Sequence, residues 1–255
     1  MQQAQIKGRT SEFYDYVWTK YLPEIEEHNR WLKTLISEDE IRDKTVLDAG
    51  CGTGIGAIGF KMLGAKKVTG IDFSQGALNT AKSLAQGLNL DITFKQCDLL
   101  KLDLGQESFD IIYSFGVLHH TGNTRLAFEN LMGHLKPGGQ FILALYLKTP
   151  FTFIHQGLRK FALVLPNSAR KPLSRLASLA MIGKKKVKRG FDGEGDALDW
   201  LFVPHRDHYT PEEIGVWFKE HKMEMRLLVP YTGRFKSTSN FIVKGFQTSL
   251  STSQT

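Results

Sequence analysis

The sequence predicts an α/β fold: a doubly wound, mostly parallel sheet with N-terminal helices and a helical insertion after the fifth strand. Three observations lead to this prediction. Short apolar runs alternate with helical patterns from residue 45 to 147, a glycine-rich turn follows the first run, and an aspartate ends the second. Such alternation is typical of right-handed crossovers, which place parallel strands side by side and cover both faces with helices.

The first 40 residues are predicted to form a helical cover. Apolar and aromatic residues recur at helical spacing from Ser11 to Ile36, and Pro23 suits the first turn of a second helix. The polar, acidic stretch from Ser37 to Asp43 is interpreted as a connector to the core.

The core, residues 41–147, is predicted to contain five strands and three helices. The strands are assigned to Thr45–Asp48, Lys67–Ile71, Asp91–Lys95, Phe109–Ser114 and Gln140–Leu147. The helices are assigned to Ile55–Leu63, to a segment capped by Ser74 that runs to Leu88, and to Asn123–Leu135. Lys136-Pro137-Gly138-Gly139 is interpreted as the end of the third helix, because proline and glycine stop helices. Ligands of such sheets bind at the carboxyl ends of the strands.

The alternation breaks after the core. Residues 148–209 predict a helical insertion or lid, and residues 210–247 a last helix followed by two closing strands, Met225–Val229 and Asn240–Gly245. The helix begins at Thr210-Pro211-Glu212-Glu213, which combines a threonine cap, proline at the first position and glutamate at the third. The polar tail, residues 248–255, is expected to be disordered.

The composition is that of an ordinary globular chain. Of 255 residues, 42% are hydrophobic and 23% charged, which supports a sizeable core and excludes disorder or a collagen-like repeat as the main state. The two cysteines and the polar N-terminus predict a reduced, cytoplasmic setting. The longest apolar runs, such as Phe141 to Leu147, are a third of the roughly 20 residues that a spanning helix needs.

Positive charge is concentrated in one segment. The formal net charge is +7, and residues 159–190 contain ten Lys or Arg and no Asp or Glu. Two interpretations stay open for this segment. In the first, it is the solvated face of a lid whose apolar stripe packs on the core. In the second, it makes a peripheral contact with an anionic membrane surface, since basic amphipathic helices bind such surfaces.

The most informative motif is the run from Val46 to Gly54. Its glycines let the backbone approach a ligand closely, and Asp72, at the end of the second strand, is placed to bind ribose hydroxyls. Two cofactor classes fit, because Gly52-Thr53-Gly54-Ile55-Gly56-Ala57 also satisfies the dinucleotide pattern. Asp48 would repel a pyrophosphate but suits the positive amine of an aminoacyl group. The residues therefore favour a ligand with adenosine at one end and a zwitterion at the other, over a nicotinamide dinucleotide.

Five elements in register carry a resemblance to a known family. They are Leu47-Asp48-Ala49-Gly50-Cys51-Gly52-Thr53-Gly54, Gly70-Ile71-Asp72-Phe73-Ser74, Cys97-Asp98-Leu99, Phe109-Asp110-Ile111-Ile112 and Leu135-Lys136-Pro137-Gly138-Gly139. Residues 40–147, which contain these elements, resemble the class I S-adenosylmethionine-dependent methyltransferases, in particular the small-molecule group with the ubiquinone and menaquinone biosynthesis enzymes.

The resemblance implies S-adenosyl-L-methionine as cofactor, S-adenosyl-L-homocysteine as product and a small molecule as methyl acceptor. It places Asp48, Gly50 and Gly52 at the methionyl part, Asp72 at the ribose, and Phe73, Cys97, Asp98 and Leu99 at the adenine. It further places Ser114 and Phe115 near the sulfonium, with Tyr14 or Trp18 of the N-terminal cover over the cofactor.

Four residues are candidates for the chemistry of transfer. The displacement from a sulfonium requires alignment and exclusion of water, and a general base only where the acceptor must lose a proton. The candidates are His119, His120, His208 and Tyr209. Alternatively, His119 or His120 only bonds local backbone. His205 and His208 have the spacing of a metal pair but no third clustered ligand, so no metal is expected, and the two cysteines are interpreted as packing residues.

The sequence leaves three functions open. The first is methylation of an O, N or C atom of a small metabolite, apolar or aromatic because the lid is rich in aromatic residues such as Trp200, Phe202, Trp217 and Phe218. The second is methylation of a quinone or lipid at a membrane surface, through residues 159–190. The third is cofactor binding without turnover. Nucleic acid is disfavoured, since Ser114-Phe115-Gly116-Val117 departs from the Asn/Asp-Pro-Pro-Tyr pattern of base-amine methyltransferases. Oligomeric state is left open.

Overall fold

The computed structural model describes residues 25–150, 152–163, 172–173, 202–229 and 240–247. Tyr14, Trp18 and the helix predicted from Ser11 lie outside these ranges, as do the tail 248–255 and most of the basic segment 159–190. The predicted division into cover, core, insertion and closing elements stays a prediction.

A seven-stranded sheet forms the centre of the described chain, with the order β3-β2-β1-β4-β5-β7-β6. The strands are β1 (Thr45–Ala49), β2 (Lys67–Asp72), β3 (Thr93–Gln96), β4 (Phe109–Phe115), β5 (Leu135–Tyr146), β6 (Glu224–Val229) and β7 (Asn240–Phe246). Strands β1 to β5 pair in parallel, whereas β7 is antiparallel to both β5 and β6. The strand order reverses between β1 and β4, which is where ligands of such sheets bind.

Helices cover both faces of this sheet. They are α1 (Ile25–Leu32), α2 (Glu38–Ile41), α3 (Ile55–Met62), α4 (Gln75–Gly87), α5 (Thr124–Met132), α6 (Thr152–Leu163) and α7 (Pro211–Glu220), with 3-10 turns at Leu99–Lys101 and Leu118–His120. Leu32, Ile58 and Ala81 lie in the apolar core that α1, α3 and α4 form with one face. Phe128 and Phe218 lie in the second core, where α5 and α7 pack on the other face. The predicted doubly wound fold is confirmed.

The local signals at two helix starts are also confirmed. The Ser74 hydroxyl accepts a hydrogen bond from the Ala77 N–H at 2.9 Å. Thr210 and Glu213 form the predicted capping box, in which the side chain of each accepts from the backbone N–H of the other. Both caps satisfy N–H groups that the first helical turn leaves without partners.

Two boundaries are wrong. The helix predicted to end at Lys136-Pro137-Gly138-Gly139 ends at Met132 with Gly133 as its cap, and Leu135 already begins β5 by pairing with Phe109. The proline and glycines therefore shape the start of a strand, where the register shifts after Phe109. The connector from Ser37 to Asp43 contains one helical turn, α2, because Ser37 and Glu40 form a second capping box.

In α6, the first helix of the predicted insertion, the apolar side chains do not form the buried face. Ile154 and Leu158 are 49% and 54% exposed, whereas Arg159 is buried and its guanidinium donates to the Val203 carbonyl. Burial of Arg159 is tolerated because this carbonyl satisfies one of its donors. Arg159 is therefore not part of a charged surface. Within the described ranges, no helix is both long and apolar enough to cross a bilayer.

Trp217 and Phe218, two of the aromatic residues that the sequence places in a lid pocket, belong to the second core instead, and Trp200 lies outside the described residues. The Phe218 ring is fully buried and packs edge-on against Phe128 at 5.2 Å. Trp217 also contacts Phe128, and Phe202 is buried. The side chains of Trp217 and Phe218 pack between α7, α5 and the sheet, so these two give no support to an aromatic acceptor.

Candidate functional site

The carboxyl ends of β1, β2, β4 and β5 meet at one edge of the sheet, and the glycine-rich turn lies there. The N–H groups of Gly50 and Cys51 donate to the Ile71 carbonyl at 2.8 and 2.9 Å, which folds the turn over the end of β2. Gly50 and Gly52 have φ of 82° and 52°, a region that favours glycine. A Cβ on Gly50 would lie 2.3 Å from a methyl carbon of Val117, so the turn needs glycine for space as well.

Asp48 lies beneath this turn and is almost completely buried, with 3% of its surface exposed. Burial raises the pKa of its carboxyl to about 7, with a further contribution from the nearby Asp72 charge, although a hydrogen bond from the Ala57 N–H works in the opposite direction. Its Oδ2 atom has no hydrogen-bond partner among the described residues. A buried carboxylate oxygen of this kind fits the ammonium group of an aminoacyl ligand, which would supply both a donor and the compensating charge.

Asp72 is held rigidly at the end of β2. Its Oδ2 accepts from the Gly52 N–H and its Oδ1 from the Ser74 N–H, each at 2.8 Å. Each carboxylate oxygen has two lone pairs and can accept more than one hydrogen bond. The neighbouring Phe73 is 42% exposed, and its carbonyl accepts from the Gln96 side chain at 3.0 Å. The structure thus presents a fixed carboxylate beside an exposed ring, as a nucleoside requires.

Residues 97–99 complete this side of the edge. The Cys97 N–H donates to the Asp72 carbonyl at 2.9 Å. Asp98 caps the following 3-10 turn, since its Oδ1 accepts from the Leu100 N–H at 2.9 Å, and Leu99 is buried in that turn. Asp98 is therefore a structural cap, and its predicted contact with adenine stays a prediction.

Ser114 and Phe115 lie at the end of β4. The Ser114 hydroxyl is fully buried and donates to the Ala49 carbonyl at 2.8 Å, and this hydrogen bond joins the end of β4 to the end of β1. The Phe115 ring packs edge-on against Trp31 of α1, with 4.8 Å between centroids. The described part of the N-terminal cover thus reaches the edge where the predicted cofactor residues meet.

His119 and His120 follow β4 in a 3-10 turn and have different environments. The His120 Nδ1 lies 2.6 Å from the His205 carbonyl, so this ring contacts the backbone of a distant segment and not the local backbone. His119 is fully buried, and neither of its ring nitrogens has a hydrogen-bond partner among the described residues. Its ring centroid is 4.2 Å from that of Tyr146, the last residue of β5.

The segment 205–209 closes over these histidines. The Asp207 N–H donates to the His119 carbonyl and the Tyr209 N–H to the Tyr146 carbonyl, each at 2.9 Å. The buried Arg206 guanidinium carbon lies 3.7 Å above the Tyr146 ring, and His208 lies 6.0 Å from the same ring. We call His119, His120, Tyr146, Arg206 and His208 the histidine–arginine cluster.

The cluster is electrostatically positive around His119. Burial lowers the pKa of His119 well below 6.5, and the charges of His120, Arg206, His208 and His205 lower it further. The ring is therefore neutral at pH 7, with one nitrogen as donor and the other as acceptor.

Tyr209, the remaining catalytic candidate, packs its ring edge-on against Trp217 at 5.2 Å. Burial raises the pKa of its phenol, with the charges of Asp207 and Glu213 adding to the effect and a hydrogen bond with Thr124 opposing it. This neutral, packed phenol is poorly suited to removing a proton near pH 7.

Sequence reasoning missed Tyr146 and Arg206. Tyr146 carries a usable signal, because it is the last residue of the fifth strand and ligands bind at the carboxyl ends of strands. Arg206 carries none, since it lies in an irregular segment without periodicity. No group of three or more metal-ligating side chains occurs in the part of the chain that the structure describes. Cys51 is a buried free thiol within the apolar core, consistent with its interpretation as a packing residue.

Comparisons with known proteins agree with this geometry. Residues 46–139 match the family model described as a methyltransferase domain. The chain is 35% identical over 119 residues to the ubiquinone/menaquinone biosynthesis C-methyltransferase of Bdellovibrio bacteriovorus, covering 46% of this chain and 50% of that protein. It is 33% identical over 107 residues to phosphoethanolamine N-methyltransferase 3 of Arabidopsis thaliana, covering 42% of this chain and 22% of that one.

Solved structures show the same fold. The magnesium protoporphyrin IX methyltransferase of Synechocystis, solved with bound S-adenosylhomocysteine, superposes with a TM-score of 0.55 at 18% identity, covering 88% of this chain and 82% of that chain. The chain spans half or less of the length of the curated relatives named above. The predicted resemblance is confirmed by the matched segment, which contains the glycine-rich turn, Asp72 and Asp98. Residues 46–139 therefore form a methyltransferase domain, and this segment resembles the class I, S-adenosylmethionine-dependent type.

Proposed function

We propose that this protein transfers a methyl group from S-adenosylmethionine to a small-molecule acceptor. The observation that carries the proposal is the buried Asp48 carboxylate beneath the glycine-rich turn, with one oxygen unpartnered among the described residues. It matches a positively charged amine, whereas the pyrophosphate of a dinucleotide would be repelled by it.

Each part of the edge has a role in this proposal. Asp48 and the backbone of Gly50 and Gly52 bind the methionyl group, Asp72 accepts from the ribose hydroxyls and Phe73 packs on the adenine. The cofactor supplies a methyl group on a positively charged sulfur, which is already a good leaving group. The protein therefore contributes mainly alignment and a dry site.

The histidine–arginine cluster is proposed as the acceptor side of the site. It continues the chain directly from Val117, whose methyl groups fill the space at Gly50. A methyl acceptor bound there would lie beside the cofactor turn and be shielded by the segment 205–209. Methylation of O, N or C is each compatible with this arrangement.

The test of the cofactor site is calorimetric titration of S-adenosylhomocysteine into the full chain and two variants. Phe73→Ala removes the exposed ring at the proposed adenine position, and Leu88→Ala, with the same 42% exposure on the far end of α4, is its matched control. We expect wild type and Leu88→Ala to bind equally, and Phe73→Ala to bind at least about tenfold more weakly, as stacking on a base predicts.

Three other outcomes are informative. Absence of binding to wild type, or equal binding by Phe73→Ala and Leu88→Ala, contradicts the proposed site. Tight NADH binding would favour the nicotinamide alternative. Binding of S-adenosylhomocysteine without its formation from S-adenosylmethionine, over a broad acceptor panel, would favour a cofactor-binding protein without turnover.

We propose methyl transfer to a lipid or quinone at a membrane surface as a second candidate. It is supported by three exposed apolar side chains of α6 that directly precede the basic segment 159–190, namely Phe153, Ile154 and Leu158. Co-sedimentation with anionic vesicles at low salt, weakened by Phe153→Ser but not by Val216→Ser on α7, is the expected result. Absence of binding to anionic vesicles contradicts it.

A further inference from the structure

Among the residues that the structure describes, none hydrogen-bonds to the ring of the buried His119. Buried polar groups in native proteins are almost always hydrogen-bonded, and each exception requires an explanation such as a bound ligand. The His119 ring is fully buried, and neither nitrogen is hydrogen-bonded to any described residue. It follows β4 at the carboxyl edge of the sheet, two residues after Val117, which contacts the glycine-rich turn at Gly50. The missing partner is therefore sought in a ligand that lies next to the cofactor turn.

The surroundings of His119 select the charge of that ligand. Arg206 carries a permanent positive charge, and its guanidinium lies over Tyr146, whose ring is 4.2 Å from that of His119. Burial is the largest cause of the lowered pKa of His119, and the charges of Arg206 and of the neighbouring imidazoles lower it further. These cationic groups create a positive electrostatic potential at His119. The same potential that disfavours a proton on its ring stabilises a negative charge beside it.

The backbone holds these groups in place. Hydrogen bonds at 2.9 Å, from Asp207 to the His119 carbonyl and from Tyr209 to the Tyr146 carbonyl, tie the segment of Arg206 to the ends of both strands. The backbone next to Arg206 is thus tied to the carboxyl edge of the sheet, and its guanidinium is buried over the Tyr146 ring. Its planar set of donors suits two oxygens of one anionic group.

We infer that the methyl acceptor carries an anionic oxygen group, a carboxylate or a phosphate, that is bound by His119 and Arg206 above Tyr146. This inference rests on the proposed function, since it names the acceptor class of the same site. Neutral His119 donates from one ring nitrogen to the anion, and Arg206 supplies charge and further donors. The lowered pKa makes His119 a weak base, so it binds the acceptor and does not remove its proton.

The first experiment uses wild type alone, as the full chain saturated with S-adenosylhomocysteine. Benzoate and phenyl phosphate are titrated against their uncharged analogues, benzamide and benzyl alcohol, and the histidine ring protons are followed by NMR. We expect at least one anion to bind at least tenfold more tightly than its analogue and to shift the resonance that His119→Asn removes. Comparison of benzoate with phenyl phosphate distinguishes a carboxylate from a phosphate. Equal binding of charged and neutral probes, or no binding, overturns the inference.

The second experiment uses matched arginine variants. Arg206→Gln is expected to weaken binding of the anion at least tenfold, and Arg206→Lys to weaken it less because the charge is kept. The control is Arg125→Gln, which removes the same charge from a guanidinium 5.1 Å from the Trp217 ring on the α5–α7 surface. Equal losses in Arg206→Gln and Arg125→Gln would indicate attraction to the net charge of the protein and would overturn the inference.

Failure of the inference is distinguishable from failure of the proposed function. Each variant is also titrated with S-adenosylhomocysteine, whose proposed contacts do not include Arg206. Retained cofactor binding without preference for anions overturns the acceptor inference alone. Loss of cofactor binding in wild type overturns both.

Discussion

The two edges of the parallel sheet contain carboxylates in opposite electrostatic situations. At the amino edge, the Asp110 Oδ2 accepts from the Thr45 N–H at 2.8 Å, the Thr45 hydroxyl at 2.7 Å and the Lys136 ammonium at 3.0 Å. Burial alone would raise its pKa, but these partners outweigh burial and lower it to about 2. At the carboxyl edge of the neighbouring strand, Asp48 has a pKa of about 7 and an unpartnered oxygen among the described residues.

The difference shows which edge stabilises the fold and which is built for ligands. Asp110 joins β4 to the first residue of β1 and to β5, so its charge is compensated within the protein. At the opposite edge, the Asp48 Oδ2 and both ring nitrogens of His119 are buried without a hydrogen-bond partner among the described residues. Buried polar groups of this kind, at the switch point of the sheet, indicate a binding site because a ligand can satisfy them.

The largest expected effect is on the pH dependence of stability. The Asp48 pKa is about 7 in the folded protein against the ordinary aspartate value of 3.8, so the folded state holds this proton more tightly than the unfolded state. Its contribution to stability is fully present below about pH 4 and is lost as pH rises to about 7, by as much as about 4 kcal/mol. Asp48→Asn removes this loss.

Urea unfolding of the two proteins checks that sign. We expect Asp48→Asn to gain stability relative to wild type as pH rises from about 4 to 7, and the gap to stay constant above that range. Asp91→Asn, at an exposed position before β3, is the control and is expected to follow wild type. A gap that shrinks with rising pH would show that Asp48 is compensated within the protein.

Asp48→Asn should have the opposite effect on cofactor binding. The amide keeps the shape of the side chain but loses the charge that would pair with the ammonium group. The affinity for S-adenosylhomocysteine is expected to fall about tenfold to hundredfold, as for loss of a charge-assisted hydrogen bond. Calorimetry in buffers of different ionisation enthalpy should also show proton release by wild type near pH 7. Unchanged affinity would remove Asp48 from the site.

Asp110→Ala is expected to give the reverse pair of results. It removes three hydrogen bonds at a part-buried position, one of them from an ammonium group, and should lower the free energy of unfolding by about 2 kcal/mol. Its affinity for S-adenosylhomocysteine should equal that of wild type, because the amino edge is at the other end of the strands. A large loss of affinity at retained folding would contradict the division between the two edges.

The residues of the carboxyl edge could be predicted from sequence where they directly follow a predicted strand. Asp48, Asp72 and the glycine-rich turn lie within a local pattern, so their meeting at one edge follows from parallel pairing. Tyr146 could have been found by the same rule. Arg206 could not, because it lies in a segment without periodicity. Its position depends on backbone hydrogen bonds from Asp207 and Tyr209 to His119 and Tyr146, which lie 88 and 63 positions earlier in the chain.

The errors have similar physical causes. Proline and glycine after α5 were assigned to a helix end, but the pairing of Leu135 with Phe109 makes them part of β5. The apolar positions of α6 indicate a buried stripe, yet Arg159 is buried because Val203, distant in sequence, offers a carbonyl. Phe218 was assigned to the lid although α7 packs it against Phe128. In each case a long-range contact overrides a local signal.

The smallest expected effect separates a structural from a binding role for Ser114. Ser114→Ala removes the bond of its hydroxyl to the Ala49 carbonyl, which joins the ends of β4 and β1. We expect the free energy of unfolding to fall by about 1 kcal/mol, as for one buried hydrogen bond, with unchanged affinity for S-adenosylhomocysteine. Thermal unfolding and calorimetry on the same samples measure both. The family resemblance predicts that Ser114 lies near the sulfonium. If the free energy of binding S-adenosylhomocysteine falls by more than the free energy of unfolding, the Ser114 hydroxyl contacts the cofactor. The carboxyl edge would then bind its ligand with side chains that also hold its strands together.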